Sequence, residues 1–357
     1  MSGIAVVSAA NIKNYGMYSV DLSGDVFFRK LNRSFTPVVT QGFSRAGKLR
    51  FQVFRRPQDF AAFDKVIFWG DFLNNPMWGC QEYAKREARH YRAANLQEGM
   101  ERWRELYLGL KRHCPATRIL AVGGCFLGAN ENLEPSFRQA LEEFLDSAEL
   151  VAPRDERSLE ILRALAPGAK LAEGIDCAWL LAVPRRKERN RGYFIYFFGR
   201  TLQSADISWI EELSRRTGLR AVTLNWLDWD QSHFKAHWYF KWMQWRIAGA
   251  EFVVTDTYHL ALNSLNAHRR VVCLYDSGQR ENEGSCGDAK KPLLLRQVGL
   301  PQLLLDVNGE NFLAAAVYDR LQTIADDHVE KALAVFAGRR EKFRRLVETA
   351  LAKPACS

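Results

Sequence analysis

Ala250-Glu-Phe-Val-Val-Thr-Asp-Thr-Tyr-His-Leu-Ala-Leu-Asn-Ser-Leu265 is the stretch from which the rest of the chain can be read. Phe252 to Thr255 is a short apolar, β-branched run that predicts a buried strand, and Leu260 to Ala267 predicts a helix. Between them lie Thr255, Asp256, Thr257 and His259, polar groups set beside the first-turn amides of a helix, which is an arrangement suited to an anion. An imidazole there can hold a phosphate or carboxylate when protonated, or move a proton. The plainer reading is that Thr255 and Asp256 cap the helix and His259 is a satisfied polar neighbour.

The same strand, turn and helix order recurs outward in both directions. Strands are expected at Ile4 to Ala9, Val66 to Trp69, Arg118 to Val122 and Leu150 to Ala152, with a long helix from Gln81 to Lys111 and shorter ones at Glu134 to Leu145 and Arg157 to Leu165. Pro184-Arg-Arg-Lys-Glu-Arg-Asn-Arg-Gly192 is charged and free of apolar residues, the composition of a linker. Beyond it come strands at Tyr193 to Phe198, Ala221 to Asn225 and Arg270 to Tyr275, and helices at Asp206 to Arg216 and Lys235 to Ala248. A helix from Asp326 to Leu351 closes the chain. With 357 residues, the pattern implies two Rossmann-like α/β domains, 1–183 and 193–325, joined by 184–192 and followed by a helix and tail over 326–357. Strand carboxyl ends of both would face a central cleft, where open parallel sheets bind ligands.

Composition excludes some classes. A hydrophobic content of 47% with 25% charged residues is that of a globular chain rather than a disordered one. No apolar run is long enough to cross a bilayer, and the first residues lack the basic flank of a secretory signal, so a cytoplasmic location is expected. Seven scattered cysteines without a CxxC pair indicate neither a disulfide framework nor a zinc ribbon. The net charge of +9 raises affinity for phosphate esters, acidic glycans, nucleic acid or lipid headgroups, the last implying peripheral membrane association.

Five further groups qualify as candidates. Arg154 and Arg157 in Pro153-Arg-Asp-Glu-Arg-Ser158 lie near a helix start, where cations oppose the helix dipole unless an anion or neighbouring acids offset them. Asn14-Tyr15-Gly16 suits a tight turn that brings backbone near a ligand, or one that caps a helix. His233 and His237 share a helix face, more simply as part of an amphipathic helix with Trp238, Trp242 and Trp245 about its apolar side than as metal ligands. Trp226, Trp229, Trp238 and Trp242 suit acceptor rings or a core. Lys290 and Lys291 end a loop from Ser277 that could form a lid, although solvated charge is commoner in such loops.

Taken together, Phe252-Val-Val-Thr-Asp-Thr-Tyr-His259, Leu150-Val-Ala-Pro-Arg-Asp-Glu-Arg-Ser158 and Asn14-Tyr-Gly16 resemble the polysaccharide pyruvyl transferase family, in the right order. Leu120-Ala-Val-Gly-Gly124, Glu173-Gly-Ile-Asp176 and Arg270-Val-Val-Cys-Leu274 add to the similarity. The resemblance implies a glycosyltransferase-B-like fold and transfer of a pyruvyl group from phosphoenolpyruvate to two sugar hydroxyls of a glycan or lipid-linked acceptor, as a cyclic ketal, with no metal and no cofactor. It also implies His259 as phosphate holder or acid, Asp256 as its orienter or as base, Arg154 as the donor's grip, and Asn14 to Gly16 facing the donor from the N-terminal domain, with Arg157, Thr255, Thr257, Lys290 and Lys291 around it. The chain departs from the family in having Thr257 where some members have arginine, Leu260 after the histidine where others have glycine, and Trp69-Gly-Asp-Phe72 where a glycine-rich run is usual. A glycosyltransferase using a nucleotide sugar, and a non-catalytic binder of an acidic polymer, are the competing functions.

Overall fold

A computed structural model describes residues 3–10, 14–41, 44–90, 92–129, 133–184, 192–200, 202, 207–227, 232–278, 288–308 and 313–352. The chain divides into two compact units, one comprising Met1–Asn11, Ser19–Leu181 and Glu341–Ser357, the other Ile12–Tyr18 and Ala182–Arg340. Most of the expected linker, 185–191, lies outside the described residues.

The first unit is built on a six-stranded parallel sheet. Its strands are β1 (Ile4–Val7), β2 (Thr36–Val39), β3 (Gln52–Val53), β4 (Lys65–Asp71), β5 (Arg118–Gly124) and β6 (Leu150–Ala152), in the order β3-β2-β1-β4-β5-β6. β4 is buried at every position, as expected of a strand covered on both faces by helices. Those helices include α1 (Tyr15–Lys30), of which the part from Ser19 onward belongs to this unit, α2 (Leu96–Tyr107), α3 (Pro135–Ser147) and α4 (Glu156–Leu165). From β1 the chain moves outward through β2 and β3, then returns to the other side of β1 with β4. The crevice where such sheets bind ligands is therefore at the carboxyl ends of β1 and β4.

The single helix expected from Gln81 to Lys111 is interrupted. Short helical turns at Pro76–Trp78, Gly79–Tyr83 and Ala84–Arg89 precede α2, which starts at a reciprocal cap. Asn95 Oδ1 accepts from the Glu98 amide at 2.9 Å while Glu98 Oε2 accepts from the Ala94 amide. The Asn-Leu-Gln-Glu spacing that marks such a start was present in the sequence.

The second unit holds a five-stranded parallel sheet of β7 (Tyr193–Phe197), β8 (Arg220–Thr223), β9 (Phe252–Thr255), β10 (Arg270–Tyr275) and β11 (Leu304–Asp306), in the order β8-β7-β9-β10-β11. Its switch point falls between β7 and β9. Phe194 and Phe252 stack with ring centres 4.8 Å apart on one face, among Val254, Val272, Leu274, Ile210, Leu213, Val317 and Leu321. The helices are α5 (Trp209–Thr217), α6 (His233–Gly249), α7 (Tyr258–Asn266), α8 (Lys290–Gln297), α9 (Leu313–Thr323) and α10 (Asp326–Ala352).

The last part of α10, from Glu341, packs into the first unit through Phe343, Val347 and Leu351, all at most 1% exposed. Its final carbonyls meet cations, as a helix carboxyl end favours. Lys65 Nζ donates to the Leu351 carbonyl at 2.7 Å, and Arg118, which is paired with Glu149, donates to that of Ala350. Phe343→Ala is therefore expected to cost about 3–5 kcal/mol in urea unfolding, whereas Lys342→Ala, at a side chain 77% exposed, should leave the midpoint nearly unchanged.

Candidate active site

The carboxyl end of β9 begins with Thr255 and Asp256, both fully buried. Thr255 Oγ1 donates to the Phe197 carbonyl at 2.7 Å and accepts from the Thr257 amide at 3.0 Å, joining the ends of β9 and β7. Asp256 accepts from the backbone amides of Gly199, Arg200 and Leu202 at 2.9, 3.0 and 2.9 Å, and from the Thr257 hydroxyl at 3.0 Å. Neither side chain caps α7. Thr257 occupies the cap position without a side-chain bond to the helix, because its hydroxyl is directed to Asp256. Asp256 thus shapes the loop after β7.

His259 lies in the first turn of α7, at the sheet's switch point. Its carbonyl accepts from Asn263 Nδ2 at 2.7 Å, and Gln244 of α6 donates to Asn263 Oδ1 at 2.8 Å, so α7 is tied to α6. The ring of Tyr258 meets that of His259 edge-on at 5.1 Å.

The turn Asn14-Tyr15-Gly16 joins His259 within the second unit, and does not face it from the first. Asn14 Oδ1 accepts from the amides of Gly16 and Met17, at 2.8 and 3.3 Å, and so starts α1. Asn14 also pairs with Leu227 in an antiparallel bridge, and the Tyr15 amide donates to the Trp226 carbonyl. A Cβ at Gly16 would stand 2.6 Å from His259 Cβ and 2.7 Å from its Nδ1, so only glycine lets the imidazole lie against this turn. Tyr15 is 1% exposed and packs on Trp226, Tyr239 and Phe240, with its hydroxyl pKa raised first by burial and then by neighbouring tyrosines. It seats the turn on α6. Tyr18, one turn on, shares a 2.7 Å hydrogen bond with His237 Nδ1.

The two arginines differ from each other. Arg154, at the end of β6 in the first unit, is 1% exposed, pairs with Asp176 at 3.1 Å and lies 5.1 Å over the Phe72 ring. Asp155 caps α4 through the Ser158 amide at 2.8 Å, and Ser158 Oγ accepts from the Phe126 amide. Arg157 is about half exposed and pairs with Glu160 at 3.2 Å. Of the lid, residues 279–287 lie outside the described residues, Arg280 among them. Lys290 and Lys291 start α8 instead, and Lys291 is buried, paired with Asp288 at 2.6 Å and bonded to the Leu274 carbonyl at 3.0 Å. Asp288 offsets the cost of a cation in a first helical turn.

One group had no signal in the sequence. Asp21 of α1 and Asp71 at the end of β4 are each 4% exposed, at the first unit's switch point. Burial, and then the Asp71 charge, push the Asp21 carboxyl up to about 8, while the Ser8 hydroxyl and the Ala10 amide pull the other way. Gly70 and Asp71 both take positive φ, 73° and 57°, so the last residues of β4 are bent while Trp69 and Asp71 still pair with β5.

Residues 103–278 match the model of the family described as polysaccharide pyruvyl transferase. Across that segment the chain is similar to the polysaccharide pyruvyl transferase family. The match takes in Arg154, Arg157, Asp256 and His259, and ends before Lys290. The match supports a transferase, and the fold is two-unit α/β of the glycosyltransferase-B-like class. Among solved structures, it is similar to UDP-GlcNAc 2-epimerase from Neisseria meningitidis bound to UDP-GlcNAc, at 10% identity over 99% of this chain and 100% of that one, with a TM-score of 0.57. A putative UDP-N-acetylglucosamine 2-epimerase from Listeria monocytogenes is similar at 10% identity over 92% and 90%, with a TM-score of 0.54. No curated protein matches.

Two measurements check the site's construction. Gly16→Ala should destabilise the protein by about 1–3 kcal/mol through overpacking against His259, read as a lower melting temperature. Asp21 holds its proton in the folded state well above the pH at which the unfolded chain releases it, so wild-type stability should fall as pH rises from about 4 to 8. Asp21→Asn removes that dependence, and its stability relative to wild type should grow toward pH 8. A melting series in which the two proteins keep parallel pH profiles would contradict this.

Proposed function

We propose that this transferase moves a pyruvyl group from phosphoenolpyruvate to two hydroxyls of a glycan or lipid-linked sugar, forming a cyclic ketal. The observation that carries the reading is the meeting of two motifs far apart in the chain. Asn14-Tyr-Gly16 lies against His259 at the switch point between β7 and β9, with no room for any side chain at Gly16.

The donor carries a carboxylate and a phosphate, so its site needs cationic groups or helix amides. A protonated His259 in the first turn of α7 opposes the helix dipole, and a bound anion offsets that cost. In this reading His259 holds the donor phosphate and supplies a proton. The methylene carbon gains that proton, leaving a cationic centre at the neighbouring carbon. The first sugar hydroxyl adds there and gives its proton to the imidazole of His259; phosphate leaves, the second hydroxyl adds, and its proton neutralises the departing phosphate. One ketal and one phosphate result, with protons balanced.

Asp256 acts here as a positioning residue, through the amides of Gly199, Arg200 and Leu202. Arg154 likewise acts through Asp176, holding the end of β6. Thr255 and Thr257 have their hydroxyls committed to Phe197 and Asp256.

The test is a thermal titration of wild type and His259→Ala with phosphoenolpyruvate, beside a panel of nucleotide sugars. A ligand at a hundredfold its Kd stabilises by about 2.7 kcal/mol, so phosphoenolpyruvate should raise the wild-type melting temperature and leave that of the variant nearly unmoved. Stabilisation by a nucleotide sugar alone would overturn the donor assignment, and an equal response from the variant would overturn the role of His259.

A further inference from the structure

The amphipathic helix expected at Lys235 to Ala248 is present as α6, but its tryptophans lie on the opposite side from that expected. Ala236, Phe240, Met243, Gln244, Ile247 and Ala248 are the buried residues, while Trp238, Trp242 and Trp245 are 61%, 42% and 37% exposed. Trp229 lies outside the described residues, and Trp226 is fully buried under Tyr15. Three of the six exposed large hydrophobic side chains among the described residues therefore share one helix face, at i, i+4 and i+7; the other three, Leu96, Ile207 and Val335, are scattered.

The rest of that face is cationic. Lys235 and Lys241 are exposed beside the tryptophans, and Arg246 lies 5.5 Å over the Trp242 ring. The seventeen residues of α6 contain no Asp or Glu. Aromatic rings with interleaved lysines and no acid are the composition of a helix lying in a membrane interface, the indoles at headgroup level and the ammonium groups on lipid phosphates. A neutral sugar needs acceptors for its hydroxyl hydrogens. Lys235, Trp238, Lys241, Trp242 and Trp245 offer donors only, which suits phosphate oxygens. Among the described residues no helix is long and apolar enough to cross a membrane, so α6 would lie on a bilayer and not span it.

We propose that the outward face of α6, from Lys235 to Trp245, docks the protein on an anionic lipid surface. The assignment is independent of the donor, since it rests on the chemistry of a face and not on the His259 site.

The test uses the full chain, sedimented with phosphatidylcholine vesicles and with vesicles containing phosphatidylglycerol. Wild type should partition onto the anionic vesicles and bind less as salt rises. Combined Trp238→Ser, Trp242→Ser and Trp245→Ser should lower that partition by about tenfold or more, and Lys235→Glu with Lys241→Glu should do the same at low salt. Melting curves establish that each variant folds, with Trp238→Ser alone as the milder substitute. A wild type that stays in solution with both vesicle types, or tryptophan and lysine variants that partition like wild type, would overturn the proposal. So would a soluble oligosaccharide that binds wild type, is lost with the tryptophans, and has no counterpart in vesicle binding.

Discussion

Asp256 is an ionisable side chain with no exposure to water, and four hydrogen-bond donors converge on it, three of them backbone amides of the loop after β7. A buried carboxylate without such donors is costly, and here the donors come from the opposite side of the crevice that the switch in strand order opens. The loop after β7 and the end of β9 are thereby locked together. α7 leaves from that junction, so the place of His259 follows from it. From α7 the constraint continues through Asn263 and Gln244 to α6, whose inner face seats Tyr15 and Tyr18. Gly16 meets the imidazole only because each of these steps holds.

The first unit uses the same device with the charges reversed. Arg154 is as deeply buried as Asp256 and is matched by Asp176, which also accepts from the Ala178 amide and so fixes the chain beyond β6. A buried ion pair is weak evidence for stability, since well-packed apolar side chains often serve as well. Its worth here is geometric. It joins Pro153-Arg-Asp-Glu-Arg-Ser158 to Glu173-Gly-Ile-Asp176, two segments that resemble the family, and gives both a structural reason. Asp21 and Asp71 are instead two carboxyls in one buried place, and burial, followed by the Asp71 charge, raises the pKa of Asp21.

Much of this was legible in the residues. Strands covered on both faces read as continuous apolar runs, so β1, β4, β5, β6, β7, β9 and β10 were expected within a few residues of where they stand. The elements missed were β2, β3 and β11, which are two to four residues long with sequences such as Thr-Pro-Val-Val and Leu-Leu-Asp. α8 and α9 were not among the expected helices; α8 opens on Lys-Lys-Pro, whereas α9, Leu-Ala-Ala-Ala-Val-Tyr, has an ordinary helical composition. The site's named residues were legible as well, but their partners were not. Asp256 is satisfied by amides more than fifty residues earlier in the chain, and backbone amides have no signature in a sequence. Asp21 is an ordinary acidic residue of a helix until the fold sets it beside Asp71.

α6 shows why periodicity alone could not orient a helix. His-Phe-Lys-Ala-His-Trp-Tyr-Phe-Lys-Trp-Met-Gln-Trp has aromatic residues all around, so either face could have been the core. The choice is made by what is available to pack against. Phe240 stacks on Tyr15 and meets Tyr18 edge-on, Met243 and Ile247 are covered, and the larger tryptophans are left outside. A helix that needed only to support the turn before α1 would be served on its outer side by short polar residues, which carry no exposed aromatic surface. Tryptophan three times with lysine between, and acid nowhere, is a composition that solvation alone does not call for. The helix that backs Gly16 and His259 therefore also presents the protein's most concentrated exposed apolar surface among the described residues.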